Sequence, residues 1–158
     1  MKEKIINELL KKIQEEIAGV QESVHSSRSL ATDLEFKAEG KYDTRSLEAS
    51  YLASAEAKRV EELKLETQIL QDVDLKASQK LSEISIGALV DLSYKNQVRK
   101  YFLIPTSGGT MIEIEGETVL VVSVFSPIGD ALLGLKAGDE FEVETPKETR
   151  HYKVVSFS

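Results

Sequence analysis

The chain has no cysteine, no tryptophan and only three prolines in 158 residues, and aromatic residues amount to 6%. Without cysteine there is no disulfide framework and no thiolate metal site. The two histidines, His25 and His151, are far apart in sequence and do not make a zinc site. We read His25 as a surface residue and His151 as structural. No stretch approaches the roughly 18 apolar residues that span a bilayer. The first ten residues mix acids with bases and lack the apolar core of a signal peptide. The expectation is a soluble, cytoplasmic protein without a membrane partner. A basic excess is also missing. A net charge of −7 and a pI of about 5.0 argue against autonomous, sequence-specific DNA binding. Ser107-Gly108-Gly109 lacks the lysine and following helix of a phosphate loop and reads as a turn.

What is present is charge and helical periodicity. Charged residues make up 30% of the chain and hydrophobic residues 41%, which suits much exposed helix surface beside a modest core. Ile6, Leu10, Ile13, Ile17, Val20, Val24, Ser27, Ala31 and Leu34 recur at steps of four and three, the spacing of a coiled-coil seam. Ala49, Ala53, Glu56, Val60, Leu63, Thr67 and Leu70 repeat the pattern after a polar interruption around Gly40. We expect a helical hairpin over residues 1–78 with its tip near 38–46. Folding back near residue 42 would set Val24 opposite Val60 and Ile17 opposite Thr67. The alternative is one continuous helix that dimerises. Tyr51 is read as a staple between the two arms, and Asp43, Thr44 or Ser46 could cap the second helix.

From about Leu81 the pattern changes to alternation with a period of two. Ala88 to Tyr94, Val98 to Ile104, Met111 to Gly116, Glu117 to Phe125, Glu140 to Thr145 and His151 to Phe157 read as strands. Ser126-Pro127 reads as the start of a short helix, with serine at the N-cap and proline in the first turn. Leu132 and Leu133 form its apolar face and Gly134 ends it. Asp74 to Glu83 reads as a short polar join. The fold class is therefore α+β: an antiparallel helical hairpin (1–78), then a small antiparallel sheet with one short helix (79–158).

The run from Val124 to Pro146 contains Ser126-Pro127-Ile128-Gly129, Ala131-Leu132-Leu133-Gly134, Gly138-Asp139-Glu140 and Val143-Glu144-Thr145-Pro146, in that order. This run resembles the C-terminal signature of the bacterial GreA/GreB transcript elongation factors, and a helical hairpin precedes that domain in the family. The resemblance implies an FKBP-like C-terminal domain that docks on RNA polymerase. It also implies a hairpin that enters the secondary channel and meets the nascent RNA 3′ end indirectly. On this resemblance the docking edge is Ser126, Pro127, Ile128 and Gly129. The candidate catalytic and metal-holding tip acids are Asp43 and Glu48, sharing Mg²⁺ with the polymerase. The protein would carry no cofactor of its own and would not itself be an enzyme, because the polymerase active site performs any RNA cleavage.

The tip departs from the family's Asp-Leu-x-Glu-Asn-Ala-Glu-Tyr run. Aligning on Tyr51 puts Thr44 and Leu47 at the two acidic positions; aligning on Asp43 puts Ser46 at the second. Two outcomes stay open: a factor that stimulates cleavage of backtracked RNA, or one that occludes the channel without cleavage. A peptidyl-prolyl isomerase needs an aromatic-lined pocket, and a coiled-coil adaptor needs no polymerase; these are the remaining alternatives.

Overall fold

The computed structural model describes residues 1–37 and 45–158. Three helices come first: α1 (Lys2–Lys37), α2 (Arg45–Gln71) and the short α3 (Ala77–Leu81). Strands β1 (Leu89–Tyr94), β2 (Gln97–Ile104), β3 (Met111–Ile114) and β4 (Glu117–Ser123) follow, then α4 (Pro127–Leu132), β5 (Glu140–Glu144) and β6 (Thr149–Phe157). The chain divides into two compact units. One comprises Leu10–Thr67 and the other Met1–Leu9 with Gln68–Ser158. The boundary therefore cuts through α1 and α2, and the start of α1 and the end of α2 belong with the sheet.

The Leu10–Thr67 unit is a helical hairpin. Ile13, Val60 and Leu63 are buried along its seam, and Ile17 and Val20 are half-buried. Ala49 and Ala53 are buried as well, where small side chains permit close approach. Across one flank Arg59 donates to Glu16 at 2.9 Å and Ser23 to Glu56 at 2.6 Å. On the other flank Gln21, His25 and Arg28 face Ala57, Val60, Glu61 and Lys64 across a groove. The groove sets residues 21–28 beside residues 57–64, the stretch that the expected register places there. Arg59 reaches Glu16 through a long side chain that also pairs with Glu62 and Glu66 on its own helix. The expected reversal near Gly40 and residues 38–44 of the tip lie outside the described residues. So do the side chains of Val24, Ser27, Ala31 and Leu34.

In the second unit one sheet of six strands has the order β3-β4-β2-β1-β6-β5. The alternation of each strand gives it a buried row. Val90 and Leu92 of β1, Tyr101 and Leu103 of β2, Val122 of β4, Val143 of β5, and Tyr152 and Val154 of β6 join one core with Leu132 of α4. The opposite residues Phe102, Ile104, Ile112, Val119 and Val121 are also buried, so β2 and β4 carry buried residues on both faces. Lys4 of α1 pairs with Glu115 in the β3–β4 turn, and Lys2 donates to the Leu75 carbonyl. Both contacts hold the start of α1 in this unit.

The sheet is mixed, not antiparallel throughout. β2 and β4 run parallel, with Lys100 level with Val119 and Ile104 level with Ser123, while the other four pairings are antiparallel. After β2 the chain crosses to the outer position, forms β3, and returns as β4 against β2. Side-chain alternation reports which face a residue takes but not the direction of the neighbouring strand. The hairpin turns do follow local chemistry. Lys95 and Asn96 (φ 49° and 62°) join β1 to β2, and Glu115 and Gly116 (φ 55° and 81°) join β3 to β4. Two consecutive left-handed residues are what a twisted two-residue hairpin needs. The polar join from Asp74 to Glu83 contains α3, which the sequence pattern missed. Its Ser78 is buried and shares a 2.8 Å hydrogen bond with Ser85.

Candidate functional site

The first candidate region is the corner where β4 turns into α4. Ser126 caps the helix: its Oγ accepts from the Gly129 amide at 3.1 Å. The same hydroxyl donates to the Ser123 carbonyl at 2.7 Å, and the Ser126 amide donates to that carbonyl at 2.9 Å. Pro127 occupies the first turn, where its missing N–H costs nothing. Gly129 is buried directly over the end of β4: a Cβ there would lie 2.0 Å from the Ser123 carbonyl oxygen. The four residues thus lock one rigid edge, with Pro127 exposed, Ser126 and Ile128 half-buried and Gly129 buried. Leu132 is fully buried, as expected. Leu133 is not core: it is 41% exposed, because the helix ends there and its backbone turns to ψ 128°.

Two features of this corner were not read from the sequence. Phe125, just before the cap, is 83% exposed. An apolar groove runs beside the corner, with Leu120, Val122, Pro127, Ile128, Val143 and Pro146 among its walls. No aromatic side chain lines it. Three aromatic residues of the sheet pack with one another instead. Tyr152 stacks on Phe141 with centroids 5.3 Å apart and meets Tyr94 at 5.2 Å. An isomerase pocket walled by aromatic rings is not what this groove offers.

The second candidate region is the distal end of the hairpin. Asp43 and Tyr42 lie outside the described residues. Glu48 is in the first turn of α2 and exposed, a position where a carboxylate also favours the positive end of the helix dipole. Arg45 lies one turn before it, on a neighbouring part of the helix surface. Tyr51 does not staple the arms: it is 67% exposed, two residues before the buried Ala53 that takes the seam position. Leu47 is 52% exposed.

The family model for the C-terminal domain of transcription elongation factor GreA/GreB matches residues 78–158. The chain belongs to the GreA/GreB family. The match takes in α3, the whole sheet and the α4 corner. Among solved structures, this GreA/GreB protein is similar to GreA factor homolog 1 (Gfh1) of Thermus thermophilus. The identity is 19% over 94% of each chain, with a TM-score of 0.39. Thermus aquaticus Gfh1 is 17% identical over 93% of this chain and 92% of that one, with a TM-score of 0.40. The GreA/GreB factor of Nitrosomonas europaea is 23% identical over 49% of this chain and 61% of that one, with a TM-score of 0.37. No curated protein matches.

Of the two candidate metal-holding acids, Glu48 alone lies among the described residues. Magnesium is held by one or two carboxylates with further oxygen ligands. Here Glu48 is a single exposed carboxylate with a guanidinium one turn away, and no group of three His, Cys, Asp or Glu is gathered among the described residues. The acids at 113, 115, 117, 140, 142 and 144 lie along the strands and turns of the sheet. All six are exposed, and Glu142 pairs with His151 at 2.9 Å. A third cluster links the β5–β6 turn to the β1–β2 turn. Glu148 accepts from the Tyr94 hydroxyl at 2.8 Å, from Lys95 at 3.1 Å and from Arg150 at 3.2 Å. The Tyr94 bond, then Lys95, holds the Glu148 carboxyl below its ordinary range. No helix among the described residues is long and apolar enough to cross a membrane.

Proposed function

We propose that this GreA/GreB protein binds RNA polymerase through its 79–158 region and inserts the distal end of the 1–78 hairpin into the secondary channel, regulating elongation by occupying it. The observation that carries this reading is the family match over residues 78–158, which includes the Ser126-capped α4 corner. Ser126, Pro127, Ile128 and Gly129 are the docking edge in this reading. Their locked backbone supports the role, since a preformed edge loses little freedom on association.

Occupation of the channel, rather than completion of a metal site, is favoured by the positive charge of Arg45, one turn from Glu48 on α2. A second reading, stimulation of Mg²⁺-dependent cleavage of backtracked RNA, rests on Glu48 being exposed at the start of α2, with Asp43 as the second acid. In that reading the polymerase still performs the chemistry. The test is binding to purified core polymerase in competition with a labelled channel-binding factor. Displacement by the wild-type protein, weakened by Ser126→Asp, is the expected result. Absence of any binding by the folded wild-type protein refutes the proposal. Shortening of RNA in backtracked complexes, lost in Asp43→Ala or Glu48→Ala, replaces the first reading with the second.

A further inference from the structure

The unit that contains the sheet has a second apolar cleft, and its lining includes none of the docking-edge residues. The end of α2, α3, the 83–86 segment and the residues that follow β2 and α4 line it. Ile69, Val73, Ile84, Ile86, Pro105 and Leu133 make it apolar, and it holds about 680 Å³. Sites for small organic ligands run to roughly 300–1,000 Å³. The cleft is tied in place by backbone and side-chain contacts. The Ser78 hydroxyl shares a 2.8 Å bond with that of Ser85 and accepts from the Ser85 amide at 3.1 Å, which fastens α3 to the 83–86 segment. Ile84 accepts from the Gly134 amide and donates to the Leu135 carbonyl, both at 2.8 Å. Gly87 lies so close to Asp74 that a Cβ would fall 2.9 Å from its carbonyl oxygen.

Every charged residue in the lining is acidic: Asp72, Asp74 and Glu83. Asp74 is occupied, accepting from Lys80 at 2.8 Å and from the Lys76 amide at 2.9 Å. Asp72 and Glu83 have no ion-pair partner among the described residues. We infer that this cleft is a binding site for a small organic cation, an apolar body that fills the interior and carries an ammonium group to Asp72 or Glu83. Charge selects the class, since an anionic or zwitterionic head would meet uncompensated carboxylates. The ammonium is one with N–H donors: quaternary ammonium is recognised by aromatic faces, and no aromatic residue lines the cleft. Size argues against a second copy of this chain. The large apolar residues that the cleft exposes are Ile86 and Leu133, at 38% and 41%, far short of the ~800 Å² per partner in a stable complex.

The test is an NMR titration of the ¹⁵N-labelled full-length protein with three probes of one shape: cyclohexylmethylammonium, cyclohexylmethanol and cyclohexanecarboxylate. Saturable shifts of the Ser85, Ile86 and Gly134 amides are expected with the ammonium. Its affinity should exceed that of the alcohol by roughly tenfold, the scale of a charge-assisted hydrogen bond, and the carboxylate should not bind. Asp72→Asn with Glu83→Gln should erase the preference for the ammonium and leave alcohol binding in place. Ile86→Ser should weaken both probes, with circular dichroism confirming an unchanged fold. Equal affinity for ammonium and alcohol in the wild type overturns the inference. So does an ammonium that shifts the exposed Glu140 and Glu142 as much as the cleft, which is unspecific ion pairing, and so does the absence of any saturable shift. The site needs no polymerase, so each of these results leaves the channel reading standing.

Discussion

Gly129→Ala and Gly19→Ala make the same chemical change in two helices and are predicted to act with opposite sign. At Gly19, midway along α1, a Cβ would meet nothing within 4 Å. The substitution then acts only through helix propensity, and should stabilise by up to about 1 kcal/mol. At Gly129 the new Cβ would lie 2.0 Å from the Ser123 oxygen, 2.7 Å from its carbonyl carbon and 3.0 Å from the Val124 Cα. All three are backbone atoms, so no side chain can swing away. Relief requires α4 to lift off β4, which breaks the two bonds from Ser126 to the Ser123 carbonyl, at 2.7 and 2.9 Å. Overpacking costs about 1–3 kcal/mol and two hydrogen bonds about 1 kcal/mol each. The helix-propensity gain returns about 1 kcal/mol. The net destabilisation is then about 2–4 kcal/mol. Urea denaturation followed by circular dichroism measures it: Gly129→Ala should lower the midpoint at unchanged slope, and Gly19→Ala should raise it. A Gly129→Ala protein as stable as wild type would refute the claim that glycine is required by the closeness of Ser123.

Leu132→Ala empties a fully buried position in the sheet core and should cost about 2–5 kcal/mol in the same assay. Arg59→Met removes a pair to Glu16 whose side chains are 43% and 47% exposed, and should change stability by less than about 1 kcal/mol. Glu148 has its folded value lowered by Tyr94 and Lys95, so its stabilising contribution is fully present above the ordinary glutamate range and is lost as pH falls through the lowered value. The melting temperature of wild type should therefore exceed that of Glu148→Gln at neutral pH and converge on it in acid. A gap that does not change with pH would rule out ionisation of Glu148 as the cause.

The sheet was legible because each strand is half-buried in alternation, and Val90, Leu92, Val122, Val143 and Val154 all took the core face that the pattern assigns. The α4 corner was legible because serine and proline have distinct places at a helix start. Strand direction was not, because alternation is blind to it, and β4 joined β2 in parallel. Tyr51 and Leu133 were misread for one reason. Hydrophobic identity suggests burial, but Tyr51 lies on the outer face of α2 and Leu133 falls where α4 ends. Phe125 gave no signal, since its exposure depends on the turn that Ser123 and Ser126 build around it. The tip acids were visible as residues, but their convergence depends on segment 38–44, outside the described residues.

Displacement of a labelled channel-binding factor from backtracked elongation complexes, with the RNA 3′ end followed in the same reaction, tests the central claim most directly. Saturable displacement by the full-length protein, with the RNA length unchanged in the presence of Mg²⁺, is the expected result. Failure to displace the factor at concentrations far above those of the complex would contradict it.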